Sequence, residues 1–473
     1  MTGLLLRDAE IGGRVRTDVR VTGGRITEIG DLSRSPGEAE LRCRGGALLP
    51  GLCDHHVHLH ALAARRRSVP CGPPAVADRA ELAAALRNAV PDEHGWIRGA
   101  GYAETVAGVL DAAALDRLEP SRPVRVQHRS GALWTLNTAA LAAAGIAGAD
   151  HPGVERDRDG APTGRLWRAD DWLRTRLPHT GPAPLDDVAR SLAGLGVTAV
   201  TDATPDLDRE ALTAFGRAVR DGTLPQRLHL LGAPLEEAPP EECAPTGAGT
   251  RVTVGPYKIV IADSGLPDLA GLTERIAAAH ARGRPVAAHC VTREALVLLL
   301  AALDEAGGMA GDRIEHAAVL PAELVPDLAR RGLRVVTQPG FLADRGDDYL
   351  RDVPAEDRPD LYRCASPLAA GVPVALSSDA PYGPLDPWQV MDAAVRRRTR
   401  SGAVVGQEEA ISPRTALRCY LAPPEDPGGP PRRVRPGAAA DLVLLRVPLA
   451  EALRGPGAGH VRTVMIGGRP LEA

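Results

Sequence analysis

The sequence has 473 residues and a formal net charge of −4 at pH 7; 25% of its residues are charged and 44% are hydrophobic. This composition is ordinary for a globular protein. The weakly negative charge, with no basic stripe interleaved with aromatic residues, argues against a nucleic-acid partner. The longest apolar run, residues 295–303, is too short to cross a membrane, so we expect no membrane partner.

The cysteine content predicts the compartment. There are seven cysteines, an odd number, and no two have the spacing of a metal finger. This pattern predicts free thiols in a reducing compartment. The first apolar residues are followed at once by Arg7 and Asp8, so no signal peptide is recognised, and we expect a cytoplasmic protein. The cysteines are Cys43, Cys53, Cys71, Cys243, Cys290, Cys364 and Cys419.

Both ends of the chain have the pattern of short strands separated by glycine turns. Residues 1–49 contain three such runs, and residues 427–473 contain two more with a Gly-Gly turn. Neither end has enough apolar residues to fold alone. We therefore predict one small β-sandwich domain formed by both chain ends.

Four of the 13 histidines lie between residues 55 and 60. Residues two apart point to the same side of a strand, so His56 and His58 would present two imidazoles to one point. With Asp54 nearby, this pair suits a first-row divalent metal. His58 and His60 have the same spacing, and a histidine-rich surface loop is the alternative interpretation.

Between the two ends, residues 50–426 alternate strand-like runs with Ala/Leu-rich helical stretches. Repeated strand–helix units predict a parallel sheet, and eight of them suggest an α/β fold of the (β/α)₈ TIM-barrel type. The connection at 66–190 is too long for a simple link and predicts an insertion over the barrel mouth. The predicted strands are 48–58, 123–127, 197–202, 257–262, 285–289, 313–316, 333–338 and 372–379.

One lysine stands among 55 arginines, and it is Lys258, inside an apolar strand. A guanidinium group stays protonated, whereas a desolvated lysine amine can shift its pKa and react. Lys258 could form a Schiff base, or add carbon dioxide to become a carbamate that bridges two metals. A lysine left over by chance is the alternative.

Polar residues end several of the predicted strands, where catalytic groups of α/β barrels collect. His289 and His316 end strands five and six, and Asp379 ends strand eight. Together with the residues on strands one and four, they amount to four imidazoles, one carboxylate and one lysine. Six such ligands can hold two metals if the lysine supplies a shared carbamate.

Several motifs resemble the amidohydrolase superfamily, and within it the amidohydrolase-3 group that includes N-substituted formamide deformylases. The resemblance covers almost the whole chain. Its motifs are Leu-Pro-Gly-Leu-Cys-Asp-His-His-Val-His at 49–58, Gly-Trp-Ile-Arg-Gly-Ala-Gly-Tyr at 95–102, Leu-Trp-Thr-Leu-Asn-Thr-Ala-Ala-Leu at 133–141, Asp-Arg-Ile-Glu-His-Ala at 312–317, Ser-Asp-Ala-Pro-Tyr-Gly-Pro-Leu-Asp-Pro-Trp at 378–388 and Pro-Gly-Ala-Ala-Ala-Asp-Leu-Val-Leu-Leu at 436–445.

The resemblance implies a metal-dependent hydrolase of a non-peptide C–N bond, such as an N-acyl, N-formyl or cyclic amide. His56 and His58 would bind the more buried metal, and His289 and His316 the other. Lys258, as N6-carboxylysine, would bridge both. Asp379 would bind the first metal and take the proton of a metal-bridging hydroxide. Zinc suits these ligands best, and manganese or iron would fit. A homodimer is the family habit.

The predicted substrate-binding residues lie on mouth loops and strand ends. For Trp134 the alternative is plain packing, and for His128 it is the orientation of a metal ligand. For Arg363 the alternative is a buried ion pair. The segment after His289 departs from the Gly-Asp of relatives and leaves formamide specificity open. The candidates are His128, Trp134, Asn137, Gln338, Arg363 and Tyr382.

Two other functions remain open. A hydrolytic deaminase on the same scaffold would use one metal, without a bridging lysine, and commonly has Glu three residues beyond a strand-end histidine. Here Thr292 stands at that position and Lys258 is present, and both favour the amide hydrolase. A metal-free scaffold protein would have lost ligands, and none is missing.

Overall fold

The computed structural model describes residues 3–179, 181–236, 240–243, 251–262 and 265–471. The chain forms two compact units, one made of residues 1–59 and 184–473 and the other of residues 60–183. The second unit overlaps most of the predicted insertion at 66–190 but begins six residues earlier and ends seven residues earlier. No helix of the described residues combines the length and apolarity needed to span a bilayer.

The first strands lead from the amino terminus to the histidine-rich segment. They are β1 (Leu4–Ile11), β2 (Val15–Thr22), β3 (Arg25–Gly30), β4 (Ala39–Arg42), β5 (Ala47–Pro50) and β6 (Leu52–Val57).

The next stretch, up to residue 183, forms a six-stranded sheet of its own with short helices. Its order is β11-β12-β10-β9-β8-β7. The elements are α1 (Leu59–Arg66), β7 (Val69–Pro70), α2 (Arg79–Arg87), β8 (Ile97–Tyr102), α3 (Glu104–Ala107), α4 (Ala112–Leu118), β9 (Val124–His128), β10 (Leu133–Leu136), α5 (Thr138–Ala143), β11 (Val154–Arg156), β12 (Pro162–Trp167) and α6 (Asp170–Arg174).

Beyond residue 183, strands and helices alternate to the carboxyl end. The strands are β13 (Val197–Asp202), β14 (Arg227–Leu230), β15 (Val252–Val254), β16 (Tyr257–Val260), β17 (Val286–Cys290), β18 (Arg313–His316), β19 (Arg334–Thr337), β20 (Val374–Leu376), β21 (Leu442–Leu445), β22 (Val461–Ile466) and β23 (Arg469–Leu471).

The helices of this part lie mostly between the strands. The α-helices are α7 (Asp186–Gly194), α8 (Arg209–Asp221), α9 (Leu269–Ala281), α10 (Arg293–Ala306), α11 (Val325–Arg331), α12 (Gly340–Asp352), α13 (Ala365–Ala369), α14 (Pro387–Arg396), α15 (Pro413–Arg418) and α16 (Leu449–Ala452), and the 3₁₀ turns are Glu241–Cys243, Ala322–Leu324, Arg358–Asp360, Gln407–Glu409 and Ala458–His460.

Strands from both chain ends combine in one eight-stranded sheet. Its order is β23-β22-β21-β5-β1-β2-β3, with β4 paired to β1. Alternate residues such as Leu6, Val19 and Leu444 are fully buried on one face, as expected for a sheet with one covered side. The predicted union of the two ends is present as this single sheet, and the facing second layer of a sandwich stays a prediction.

Two parallel sheets position the strand-end residues. One has the order β15-β14-β13-β6 and the other β16-β17-β18-β19-β20, and every ladder in both is parallel. Ile259, Ala288, Ile314 and Val335 belong to a buried core that includes residues of the helices following these strands. The α/β class is therefore confirmed, although the described strands form two sheets and not one closed ladder.

Single backbone hydrogen bonds connect the two parallel sheets at their adjoining edges. The Lys258 N–H donates to the Leu231 carbonyl over 3.1 Å, and the Asp379 N–H donates to the His56 carbonyl over 2.8 Å. These bonds bring the carboxyl end of β6 beside the loop after β20. The sequence assigned 123–127 to the barrel, which is wrong: that strand, β9, pairs with β8 and β10.

Candidate metal centre

His56, His58 and Asp379 form a tight cluster at the carboxyl ends of β6 and β20. Their ligand atoms lie within 4.8 Å of one another. The Asp379 Oδ1 atom is 3.2 Å from His58 Nε2 and 3.5 Å from His56 Nε2. Two imidazole nitrogens and one carboxylate oxygen at this separation can bind a single divalent ion.

The other two predicted histidines continue the cluster. The ring centroids of His56 and His316 are 4.7 Å apart, and those of His316 and His289 are 4.4 Å apart. The His56 and His58 centroids are 5.3 Å apart. The four imidazoles therefore form one continuous row. The sequence predicted that these residues, from three separate strands, would lie close together.

Lys258 is buried in the same part of the fold. The residue is 2% exposed, and its Nζ atom has no hydrogen-bond partner among the residues that the structure describes. Burial lowers the pKa of Lys258, and the negative charges of Glu315 and Asp379 partly offset this effect. A lowered pKa increases the unprotonated fraction of an amine, which is the nucleophilic form.

Three buried polar atoms of this cluster lack a hydrogen-bond partner: His56 Nε2, Lys258 Nζ and Asp379 Oδ1. Leaving a buried polar atom unsatisfied costs about 1–3 kcal/mol. Burial and nearby positive groups hold the pKa of His56 well below its usual range, so the imidazole is neutral. A neutral imidazole with a free nitrogen is the form that binds metals.

Glu315 is a residue of this centre that the sequence analysis missed. It is fully buried on β18, and its Oε2 atom contacts His56 Nδ1. Because a carboxylate only accepts, Nδ1 of His56 carries the proton and Nε2 presents its lone pair to the cluster. The Arg313 Nε–H donates to the other oxygen of Glu315 over 2.5 Å.

Replacing Glu315 with glutamine should weaken divalent-metal binding by about 10- to 100-fold, the usual effect of losing a carboxylate that orients a ligand. Glutamine keeps the volume but removes the charge between Arg313 and His56. Competition with a chelator measures the affinity, and Glu323→Gln is the control because Glu323 is 69% exposed in its side chain. Equal affinities for both variants would show that Glu315 has no orienting role.

Gln338 and Thr204 orient two further histidines. The Gln338 Oε1 atom is 2.9 Å from His316 Nδ1, and its amide nitrogen donates to Ser377 Oγ over 2.9 Å. Thr204 Oγ1 is 3.2 Å from His58 Nδ1. Gln338 is buried. The structure therefore favours a role in orienting His316 and not the substrate-binding role predicted from the sequence.

Asp54 is buried but is not part of the ligand cluster. Its oxygens accept hydrogen bonds from the backbone N–H groups of His56 and Ser378 and from the Ser378 hydroxyl, 2.5 Å away. Burial raises the pKa of the Asp54 carboxyl group to about 6. Asp54 therefore joins the start of the histidine segment to the loop after β20, and its proposed role beside the metal is not supported.

Three of the nine described non-glycine residues with positive φ lie at the cluster. His316 has φ of 74°, Ala317 has 46° and Asp379 has 53°, all in the left-handed region. Non-glycine residues in this region cost about 1–3 kcal/mol each and collect at functional sites. Two of the three, His316 and Asp379, are predicted metal ligands.

Tyr382 lies at the edge of the centre. Its ring meets the His58 ring edge-to-face, with centroids 5.5 Å apart, and the residue is partly exposed. Of the predicted substrate residues, Tyr382 and Gln338 each contact one of the four histidines. A bound substrate next to His58 would contact this ring.

Arg363 is occupied by protein partners. Its guanidinium donates to the Leu320 carbonyl over 2.8 Å, to Asp360 over 2.6 Å and to Glu409. Glu409 is itself buried and accepts from the Cys364 N–H over 3.0 Å. These contacts support the buried ion pair and not the substrate-binding role that the sequence suggested.

Arg363→Ala should lower the free energy of unfolding by about 3–5 kcal/mol, because two buried carboxylates lose their partner. Urea unfolding measures the change. The control is Arg396→Ala, whose ion pair with Asp392 is on the surface and should contribute little. Unchanged stability together with a raised KM would instead restore the substrate-binding role.

The three remaining predicted substrate residues belong to the second unit. Asn137 is buried, and its amide makes four hydrogen bonds: it accepts from Val124 and Ala140 and donates to the carbonyls of Glu119 and Arg122. It caps α5, so its structural role is fully accounted for and substrate binding by it is not supported.

Trp134 and His128 also have protein partners within that unit. The Trp134 indole N–H donates to Asp170 over 2.7 Å, and the guanidinium groups of Arg98 and Arg125 lie 5.3 and 5.2 Å from the centroid of its ring. His128 Nε2 is 3.1 Å from Glu104 Oε2. Plain packing is the interpretation that the structure favours for Trp134, which is 4% exposed.

Parallel strands that end in a row of histidines, with an aspartate and a buried lysine, have the arrangement expected of a metal-dependent hydrolase. The chain belongs to the amidohydrolase family, whose model matches residues 42–471. It is an enzyme of that class, a hydrolase acting on carbon–nitrogen bonds.

Similar proteins agree with this assignment. The N-substituted formamide deformylase of Arthrobacter pascens is 27% identical over 494 residues, which cover 90% of this chain and 89% of that protein. Crystal structures of two uncharacterized metal-dependent hydrolases share the fold. That from Pyrococcus horikoshii OT3 has a TM-score of 0.75 at 19% identity, with 100% of both chains covered. That from Pyrococcus furiosus has a TM-score of 0.71 at 21% identity, covering 94% of this chain and 99% of the other.

Proposed function

We propose that this enzyme hydrolyses a non-peptide amide bond at a centre of two divalent metal ions. The observation that carries the proposal is the buried Lys258 amine, without a hydrogen-bond partner, in the same core as four gathered imidazoles and one carboxylate. No other lysine exists in the chain. A carbamate on Lys258 would turn this orphan amine into a bidentate oxygen ligand.

The donor set fits two cations. His56, His58 and Asp379 would hold one ion, since their ligand atoms lie within 4.8 Å. His289 and His316, with adjoining rings, would hold the second, and carboxylated Lys258 would be shared. Neutral imidazole with oxygen ligands suits zinc, and manganese or iron are the alternatives. We also propose that the two parallel sheets close into one barrel around this centre.

The two ions would polarise the substrate carbonyl and make a water molecule acidic. Asp379 is the group on this chain that moves the proton, because its carboxylate lies against both His56 and His58 at the cluster. It accepts a proton as water adds to the carbonyl carbon, and it returns the proton to the leaving nitrogen as the C–N bond breaks. The products are a carboxylic acid and an amine.

Two observations support a substrate class: the name of a similar protein and the position of Tyr382 beside His58. The similar Arthrobacter pascens protein is named an N-substituted formamide deformylase, which supports an N-substituted amide here. Tyr382 stands beside His58 and can pack against the substituent. Cys290 and Val291, which follow His289, differ from the Gly-Asp of the family pattern. The proposed substrate class is therefore an N-acyl, N-formyl or cyclic amide.

Metal analysis and product analysis together test the proposal. We expect about two divalent ions per chain in the native enzyme and fewer in Lys258→Ala. Hydrolysis of N-substituted amides should release a free amine. One ion per chain in both proteins, with ammonia as the product, would instead indicate a mononuclear deaminase.

A further inference from the structure

A basic cleft lies between the eight-stranded sheet formed by both chain ends and the parallel sheet that contains β14. Its cavity measures about 310 Å³. Pro50, at the end of β5, and Arg227, at the start of β14, form one side, and residues 431–435 form another. This basic cleft has four arginines and two carboxylates in its lining: Arg227, Arg432, Arg433, Arg435, Glu425 and Asp441.

The basic cleft is separate from the candidate metal centre. Arg227 is the first residue of β14, and Pro50 lies two residues before β6 begins, so the cleft lies at the amino-terminal ends of these two strands of one parallel sheet. His56 and His58 are at the opposite, carboxyl end of β6, and neither histidine lines the cleft. The hydrolytic reaction therefore does not use this cavity.

One of the four arginines is neutralised by the protein. The Arg227 Nε–H donates to Asp441 Oδ2 over 2.9 Å. The second oxygen of Asp441 accepts from the Gly467 N–H over 2.7 Å. Both oxygens of Asp441 therefore accept a hydrogen bond, one of them from Arg227.

The other three arginines have no carboxylate partner in the described part of the chain. Arg432 donates to the carbonyl groups of Leu421 and Gly51, which are uncharged. Arg433 and Arg435 are exposed, and the described residues offer their guanidinium groups neither a hydrogen bond nor an ion pair. With Glu425 as the remaining acid, the lining keeps an excess of two positive charges.

We propose that the basic cleft binds a small dianionic oxyanion, either a phosphate monoester or a dicarboxylate. The guanidinium fork matches phosphate and carboxylate oxygens with two parallel hydrogen bonds. The excess of two charges matches a dianion. The cavity has the volume of a small-molecule site, and it is too small for a polymer.

The walls of the cleft favour a preformed site. Pro423, Pro424 and Pro431 line it, and the pyrrolidine ring fixes φ at each. Arg432 is held by its two carbonyl acceptors and anchors the segment that carries Arg433 and Arg435. A ligand that enters such a site loses little of its binding energy to ordering the protein.

Calorimetric titration at constant ionic strength tests this site with two probes, inorganic phosphate and succinate. The informative variant is Arg433→Ala with Arg435→Ala. The matched control is Arg14→Ala with Arg16→Ala, because the chain has the same Arg-Val-Arg tripeptide there, exposed on the terminal sheet and outside the cleft.

We expect at least one probe to bind the native enzyme and the control, and to bind the 433/435 variant about tenfold or more weakly, since two charged hydrogen-bond donors are lost. Binding of phosphate or of succinate identifies the source of the anion. The proposal is overturned if neither probe binds at millimolar concentration, if the 433/435 variant binds as the native enzyme does, or if the control loses as much. Phosphate bound at the metal centre would persist in both variants.

Discussion

Replacing Lys258 with arginine is expected to lower kcat by about 10³-fold or more, which corresponds to several kcal/mol of lost metal-assisted stabilisation. Arginine keeps a positive charge and much of the volume but cannot form a carbamate. The site would then place a permanent cation beside Asp379 and the four imidazoles, where it repels divalent metals. Steady-state kinetics with an N-substituted amide measures the loss.

A second substitution at the same position separates the carbamate from a nucleophilic amine. Lys258→Gly leaves a cavity that a small carboxylate such as formate or acetate can enter, and its oxygens can replace those of the carbamate. We expect added carboxylate to restore part of the activity of Lys258→Gly and none of that of Lys258→Arg, in which the cavity is filled. Rescue by a small amine instead would indicate a Schiff base.

Replacing Asp379 with asparagine is expected to lower kcat by about 10²- to 10⁴-fold, the range for loss of a positioned proton-transfer group. Asparagine keeps the shape and can still accept from a donor, but it cannot take a proton. KM should change much less than kcat, because Tyr382 and the histidines proposed to bind metal stay in place.

Asp386→Asn is the matched control for that experiment. Asp386 follows on the same loop and caps α14 through the Trp388 N–H, 2.9 Å away. Asparagine is an equally good cap, so this variant should keep both activity and stability. An Asp379→Asn enzyme that retains the native kcat, or an Asp386→Asn enzyme that loses as much, would remove the proton-transfer role from Asp379.

The gathering of the six predicted ligands could be expected from the sequence because strand ends are strong constraints. His289 and His316 each end an apolar run, and neighbouring parallel strands place such residues at one edge. In the structure β17 and β18 are paired in register, with Cys290 opposite His316. Lys258 stood out because the chain uses arginine everywhere else.

Residues whose roles depend on distant partners were harder to predict. Arg363 and Asn137 carry polar groups that could bind substrate, but protein partners satisfy them. Glu409 is 46 positions from Arg363, and the partners of Asn137 lie 3 to 18 positions away. Glu315 was quoted in a motif, yet its contact with His56 crosses 259 positions. A local pattern does not reveal which buried group faces which ligand.

Two strands, β9 and β14, were assigned wrongly or not at all because the assignment depended on the apolar pattern alone. β9 resembles a barrel strand because Val124 and Val126 are buried, but it belongs to the second unit. β14, Arg-Leu-His-Leu, was not recognised because His229 interrupts its apolar run, although it pairs with β13 over four residues. Burial inside a parallel sheet thus accommodates a histidine that a sequence pattern treats as a break.

A crystal structure of the metal-loaded enzyme, with anomalous differences recorded at the absorption edge of the metal, tests the binuclear centre most directly. We expect two anomalous peaks, one beside His56 and His58 and one beside His289 and His316, with carboxylated Lys258 between them. A single peak, together with an unmodified Lys258 amine directed away from the histidines, would contradict the account.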